Sequence, residues 1–464
     1  MAETRIPVEP YKIKSIEPIK LLSREEREKN LRRAGFNVFA LPAPAVFIDL
    51  LTDSGTAAMS QKQWAGMMEA DEAYAGSRSF DRFQNSAREV FGFKHVIPTH
   101  QGRAAERILF QVLVEKGDAV PNNIHFDTTR ANIEFRHADA ADLVLDAAYD
   151  PDNRDFFKGD MDLEKLEAFI QKKGADRIPL VMMTVTNNSG GGQPVSMRNL
   201  SEVNRICRKH GIPFFLDACR FAENAYFIQQ REAGYAEKSV REIAREMFTC
   251  ADGAFMSAKK DALVNMGGFV TCNNDELAGK LKNQLVLSEG FPTYGGMSGR
   301  DLEAVAQGLQ EGVESGYLEH RIGQVKYLWS RLHNEGIPVY SPPGGHAVYL
   351  LADRFLSHLP REHYPGWALS VALYREAGIR AVEIGGVMFG RTDEETGKEV
   401  FPQLELVRLA VPRRVYTVSH LEYIAEALTR LYKKRKDING FRIAGQAPYL
   451  RHFTVRMEEV VSPG

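Results

Sequence analysis

The middle of this chain alternates short apolar runs with amphipathic stretches, and no other feature constrains the fold as much. Residues 94–98 read as a strand, and Gln101-Gly-Arg-Ala-Ala-Glu106 opens a helix running to about Glu115. Residues 180–186 form a second strand, ending in Asn187-Asn-Ser-Gly-Gly-Gly192. A helix over 200–209, stopped by Gly211, precedes a strand at 213–216, and 251–256 is a further apolar run. This order predicts βαβ units around a mostly parallel sheet. Ligands of such sheets sit outside the carboxyl ends of the strands. Gln101, Asn188, Asp217 and Lys260 all fall just past those ends.

The residues at that edge carry specific chemistry. Phe255-Met-Ser-Ala-Lys-Lys-Asp261 sets a lysine pair beside Ser257, and Phe214-Phe-Leu-Asp217 ends in an acid followed by Arg220. These are the parts needed to hold pyridoxal phosphate. An amine joins the aldehyde, an acid pairs with the pyridinium nitrogen, and serine and arginine serve the oxygens. On these residues alone, a solvated lysine loop with Asp217 as a helix cap stays open. Amides at a helix start over Gly102 and Arg103 suit a phosphate dianion, with a plain helix start as the alternative. Arg408 lies among Leu406, Val407 and Leu409. An unpaired cation there is costly, so it calls for a carboxylate, from a ligand or from a structural salt bridge.

At 464 residues the chain is too long for one compact core, and two domains are expected. A formal charge of −2 gives no reason to expect nucleic acid or an anionic membrane as partner. The basic block Lys433-Lys-Arg-Lys436 reads as a solvated helix end. Cys207, Cys219, Cys250 and Cys272 lack paired zinc spacing and read as free thiols. The first residues lack the apolar core of a signal peptide, and no apolar run reaches bilayer length. The expectation is a protein of a reducing cytoplasm.

Residues 1–22 read as an extended arm. A capping box at Ser23-Arg-Glu-Glu26 starts a helix stopped by Gly35, and 45–51 reads as a buried strand. Residues 23–57 are assigned to a small domain and 58–311 to a large cofactor-binding domain. Residues 312–464 return to the small α+β domain, with a helix at 314–332, strands at 347–351, 380–384 and 404–411, and a helix at 418–434. There is no internal repeat and no low-complexity segment.

Assembled, these residues resemble the β-eliminating lyases, tryptophanase and tyrosine phenol-lyase, of the aspartate-aminotransferase fold type. The blocks that carry the resemblance are Ile48-Asp-Leu-Leu-Thr-Asp-Ser-Gly-Thr56, Asp71-Glu-Ala-Tyr-Ala-Gly-Ser77, Thr99-His-Gln-Gly-Arg103, Glu223-Asn-Ala-Tyr-Phe227, Met256-Ser-Ala-Lys-Lys-Asp261 and Leu450-Arg-His-Phe-Thr454. The resemblance implies an α/β large domain with a mostly parallel mixed sheet, a smaller α+β domain, and pyridoxal 5′-phosphate joined to Lys260. It makes Asp217 the pyridinium partner and puts Asn188 and Arg220 at the cofactor's phenolic oxygen. Gln101, Gly102, Arg103 and Ser257 become the phosphate cradle, and Phe126 the ring stacked on the cofactor. Thr52, Asn188 and Arg408 fall near the substrate carboxylate. Tyr74 becomes a catalytic tyrosine contributed across a subunit interface, where Gly55, Glu72 and Asn265 match a potassium site. A homotetramer is implied. One departure is Ala104, where these families usually carry glycine; alanine is tolerated unless the backbone needs a positive φ.

The resemblance also implies three positions that separate expulsion of indole from expulsion of phenol. Here they are Asp127, Ile384 and His452, and all point to indole. A phenol needs a donor or cation for its hydroxyl, and Ile384 stands where that cation would be. Indole presents an apolar bicycle with one N–H, and its C3 must be protonated before it leaves, a task for Asp127 and His452. Arg130 keeps the phenol reading open. A cysteine lyase, an aminotransferase and a non-catalytic binding protein are the wider rivals.

Overall fold

The computed structural model describes residues 6–393, 396–447 and 450–460. A five-stranded sheet lies at its centre, in the order His95–Thr99, Gly268–Cys272, Gly253–Ser257, Phe214–Asp217, Val181–Thr184. The last three strands are parallel, and Gly268–Cys272 runs antiparallel to both of its neighbours. His95–Thr99 is therefore parallel to Gly253–Ser257, and four strands deliver their carboxyl ends to one edge. A second parallel pair, Ala119–Asn122 with Asp139–Asp142, is tied to the main sheet by side chains. Asn122 Nδ2 donates to Thr184 Oγ1 at 3.0 Å, and Asn123 Nδ2 donates to the Thr184 carbonyl at 3.0 Å.

Both faces of the central sheet are covered, so its strands are buried except at His95, which starts the edge strand. The helix Met197–His210 shows how local chemistry sets the layers. The Ser196 side chain accepts from Asn199 N, and Gly211 ends the helix in a left-handed conformation at φ 69°. Its apolar face, including Leu200, Val203 and Ile206, joins the main core.

A separate core gathers residues from both ends of the chain. Leu31, Val38, Ile48 and Leu50 pack with Leu328, Trp367, Val407 and Leu428. Its sheet is antiparallel, in the order Val382–Ile384, Leu406–Ala410, Ala347–Leu351. The helices Ser315–Asn334 and Val418–Lys433 contribute Leu328 and Leu428 to this core. The capping box at Ser23 is present, and its helix covers Arg24–Arg33.

Two expectations are corrected. The strand at 45–51 is only Ile48–Asp49, because its parallel partner Ile379–Arg380 offers two residues of pairing. The strand at 380–384 is two strands that serve different neighbours, Ile379–Arg380 on one side and Val382–Ile384 on the other. No helix among the described residues is long and apolar enough to cross a membrane. The cysteines Cys207, Cys219, Cys250 and Cys272 are free and buried.

Candidate active site

The carboxyl edge of the sheet opens into a cavity of about 270 Å³ between the two cores. Lys260, Asp217, Asn188, Gln101, Gly102, Arg103, Phe126, Ser257 and Arg220 all line it. Asp217 ends its strand in a buried position and accepts the Cys219 amide at 3.2 Å. It is not an exposed helix cap. Lys259 and Lys260 follow the Ser257 strand end and are half-buried. Burial, the Lys260 charge and Arg103 push the Lys259 ammonium below its ordinary range.

The helix Gly102–Leu113 begins at this edge with no side chain capping it. Glycine at its first position is required by packing: a Cβ on Gly102 would sit 2.5 Å from the Ser257 Cβ. The backbone is thereby drawn against Ser257, leaving a small cradle. Ala104 donates its amide to the Gln101 carbonyl at 3.1 Å within the helix start. It is not among the positive-φ residues, so alanine carries no strain there.

Opposite the lysine lies a buried cation. Arg408 Nη1 donates to Asn188 Oδ1 at 2.9 Å and Nη2 to the Leu51 carbonyl at 3.1 Å. Its Nε is buried without a partner, and no carboxylate among the described residues pairs with it. Burial pulls its guanidinium below the ordinary range. The structural salt bridge left open by the sequence is absent, and Thr52 lines the cavity beside it. Asn188 is itself held from below: its Oδ1 approaches His346 Nε2 at 2.9 Å, and its carbonyl accepts from the Tyr349 hydroxyl at 2.7 Å. Gly192, at φ +68°, allows this approach, since a Cβ there would lie 3.1 Å from His346 Nδ1.

Asp127 and His452 meet at the other end of the cavity. His452 Nε2 lies 3.2 Å from Asp127 Oδ2, yet the alignment is not that of a hydrogen bond. Both ring nitrogens of the buried His452 lack a hydrogen-bond partner. The ring packs between Phe39 and Phe453, with centroids at 5.7 and 4.1 Å. The imidazole therefore keeps its bonding capacity for a ligand.

Other expected residues lie apart. Ile384 is buried and lines an adjoining cavity rather than this one. Arg130 also faces that second space, where its Nη2 is held by Asp142 Oδ2 at 2.6 Å. Tyr74 is 70% exposed, against Phe291 and Tyr294. Gly55 and Asn265 are brought together, Asn265 Nδ2 donating to the Gly55 carbonyl at 3.0 Å. Glu72 lies elsewhere in the chain's own contacts, accepting the Gly299 amide at 3.0 Å and pairing with Arg300 at 3.3 Å.

The structure adds residues that sequence reasoning missed. Asp53 holds Arg220 through a fork, with Nε and Nη2 at 3.1 and 2.7 Å. Burial opposes the Asp53 charge, but Arg220 and Arg413 overcome it and keep its carboxyl well below the usual range. Glu106 also lines the cavity. Its oxygens accept from Thr128 and Thr129 at 3.0 and 2.8 Å. Burial, then the neighbouring Asp217 charge, push its carboxyl up to about 7. One signal was visible, because Glu106 stands four residues after Gly102 and shares its helix face. For Asp53 no spacing connects it to Arg220.

This donor set fits pyridoxal phosphate: a lysine amine and a buried carboxylate at neighbouring strand ends, with a glycine-lined cradle at a helix start beside Ser257. The comparisons with known proteins agree. The family described as Beta-eliminating lyase matches residues 49–427. The chain is 54% identical over 450 residues to the tryptophanase of Salinibacter ruber, covering 97% of this chain and 95% of that protein. It is 52% identical to the tryptophanase of Rhodobacter capsulatus, covering 98% and 99%. It is 50% identical to the tyrosine phenol-lyase of Symbiobacterium sp., covering 97% and 98%. Among solved structures, the Sphingomonas wittichii serine palmitoyltransferase superposes with a TM-score of 0.58 at 14% identity, covering 89% of this chain and 97% of that one. The SepCysS–SepCysE N-terminal domain complex gives 0.55 at 15%, covering 85% and 96%. The fold is thus that of fold-type-I pyridoxal-phosphate enzymes, and the chain belongs to the β-eliminating lyase family, the lyases of tryptophanase and tyrosine phenol-lyase type.

Proposed function

We propose that this lyase converts L-tryptophan and water to indole, pyruvate and ammonia. The observation that carries the choice of ring is the Asp127–His452 approach at 3.2 Å inside the cavity. Lys260, Asp217, Asn188, Arg220, Ser257 and the amides at Gly102 and Arg103 would hold pyridoxal phosphate, with Gln101 and Phe126 beside it. Bound there, the cofactor supplies an electron sink for the charge left at Cα.

The chain's own residues do the rest. Arg408, with Thr52 and Asn188, binds the substrate carboxylate and orients the Cα–H bond. The Lys260 amine takes the Cα proton. Asp127 and His452 hold the indole N–H and deliver the proton that C3 needs before its bond to Cβ breaks. General acid–base help of this kind is worth roughly 10²–10⁴-fold. Tyr74, exposed in one chain, serves this step from a second copy. Gly55 and Asn265 of one copy with Glu72 of another form a potassium site, in a cytoplasmic homotetramer with no nucleic-acid or membrane partner.

The second reading is expulsion of phenol from L-tyrosine, favoured by relatives of that name at 50% identity. Arg130 is the residue that would serve it, but it is already bound to Asp142. Comparison of kcat/KM for the two amino acids decides. Tryptophan is expected to exceed tyrosine by roughly tenfold or more, and a preference for tyrosine would overturn the reading.

A further inference from the structure

The adjoining cavity measures about 870 Å³. Asp127 and Met388 line both spaces, so these side chains form the shared wall. Ile384, the residue matched to the leaving ring, faces only the second. The first holds the lysines and Arg408, which lacks a carboxylate partner. On the second, Arg130 is paired with Asp142 at 2.6 Å and Glu134 at 3.5 Å, and Arg451 with Glu399; Arg391 also lines it, and Ala131, Phe401 and Leu404 add apolar wall. Lys260 and the unpaired Arg408 suit the first space to an ionic amino-acid head, and Ile384, Phe401 and Leu404 suit the second to a ring. Pockets for drug-sized ligands span roughly 300–1,000 Å³, so the second has room beyond one bicyclic ring.

The wall has a fixed frame and one movable part. Met388 lies on the single helical turn Gly386–Phe389. Glu383 accepts the amides of Val387 and Met388 at 2.8 and 3.1 Å, and Glu405 accepts that of Gly386 at 2.8 Å. Arg451 donates to the carbonyls of Val387 and Gly386 at 2.7 and 2.6 Å. With the backbone pinned from both sides, motion falls to the Met388 side chain, unbranched and adaptable.

We infer that the second cavity is the chamber through which the expelled aromatic ring passes, and that Met388 is the movable partition between the chamber and the reacting centre. This rests on the aromatic β-elimination proposed above. The test compares L-tryptophan with β-chloro-L-alanine, which loses chloride and needs no passage for a ring. Ala131→Trp fills the chamber from a residue that does not line the first cavity. The tryptophan-to-chloroalanine ratio of kcat/KM should fall by roughly tenfold or more. Inhibition of the chloroalanine reaction by free indole should weaken by about fivefold. Met388→Ala, which removes bulk and serves if the tryptophan variant does not fold, should raise kcat/KM for 5-substituted tryptophans relative to tryptophan by roughly threefold. A ratio and an indole inhibition within about twofold of wild type in Ala131→Trp would overturn the inference. So would a Met388→Ala variant with unchanged preference. If wild type takes tyrosine and not tryptophan, only the choice of ring fails, and the same ratios with tyrosine and phenol decide the chamber.

Discussion

Arg408 shows what one residue contributes and how far it could be read in advance. A cation flanked by Leu406, Val407 and Leu409 in a strand is conspicuous in the sequence, because burying it unpaired costs free energy. The fold leaves it with an amide oxygen, a carbonyl and an orphaned Nε, the unmet half of a carboxylate-binding fork. Its support was not legible. His346 and Tyr349 reach Asn188 from 158 and 161 residues away, and no local periodicity encodes such contacts. Arg408→Lys keeps the charge but loses the planar fork. Charge-assisted hydrogen bonds are worth about 1.5–3 kcal/mol, so kcat/KM for the amino acid should fall by roughly 10–100-fold, mostly through KM. Steady-state kinetics within about twofold of wild type would show that another group holds the carboxylate.

At the scale of elements, strand ends were the most legible part of the chain. Gln101, Asn188, Asp217 and Lys260 were placed by apolar run length and turn chemistry, and the structure brings them to one cavity. Legibility failed where pairing is remote: Ile48–Asp49 is short because of Ile379–Arg380. The link between the helices Gly102–Leu113 and Asp127–Glu134 was also invisible. Glu106 makes it by accepting from Thr128 and Thr129, beside Asp127. Its carboxyl, pushed up to about 7, keeps a proton that the unfolded chain loses near pH 4.3, roughly the free glutamate value. Stability from this group is therefore full below the unfolded value and is lost as pH rises through about 7. Glu106→Gln cannot ionise, so relative to wild type it should gain stability between about pH 5 and about pH 8. Denaturant unfolding at both pH values checks this. A difference that stays constant would mean Glu106 is ionised throughout.

Across the whole molecule the two cores are tied by a buried charge network beneath the cavity. Arg413 contacts Asp53, Glu223 and Asp261, each at 2.8 Å, and Arg321 contacts Glu223 at 3.0 Å. Asp261 directly follows Lys260 and accepts the amides of Ala222 and Glu223 at 2.8 and 3.2 Å. The lysine is thereby anchored to both halves of the fold. Removing one partner from a buried set typically costs about 3–5 kcal/mol, because charges are left uncompensated. Arg413→Met should lower unfolding free energy by about that amount, and a loss below about 1 kcal/mol would mean the network relaxes or admits water.

The proposed lyase chemistry depends on Lys260 being the amine that joins the cofactor. Protein reconstituted with pyridoxal phosphate, reduced with borohydride and digested should yield a single phosphopyridoxyl adduct, on the peptide carrying Lys260. An adduct on Lys259 alone, on another lysine, or none at all would contradict it.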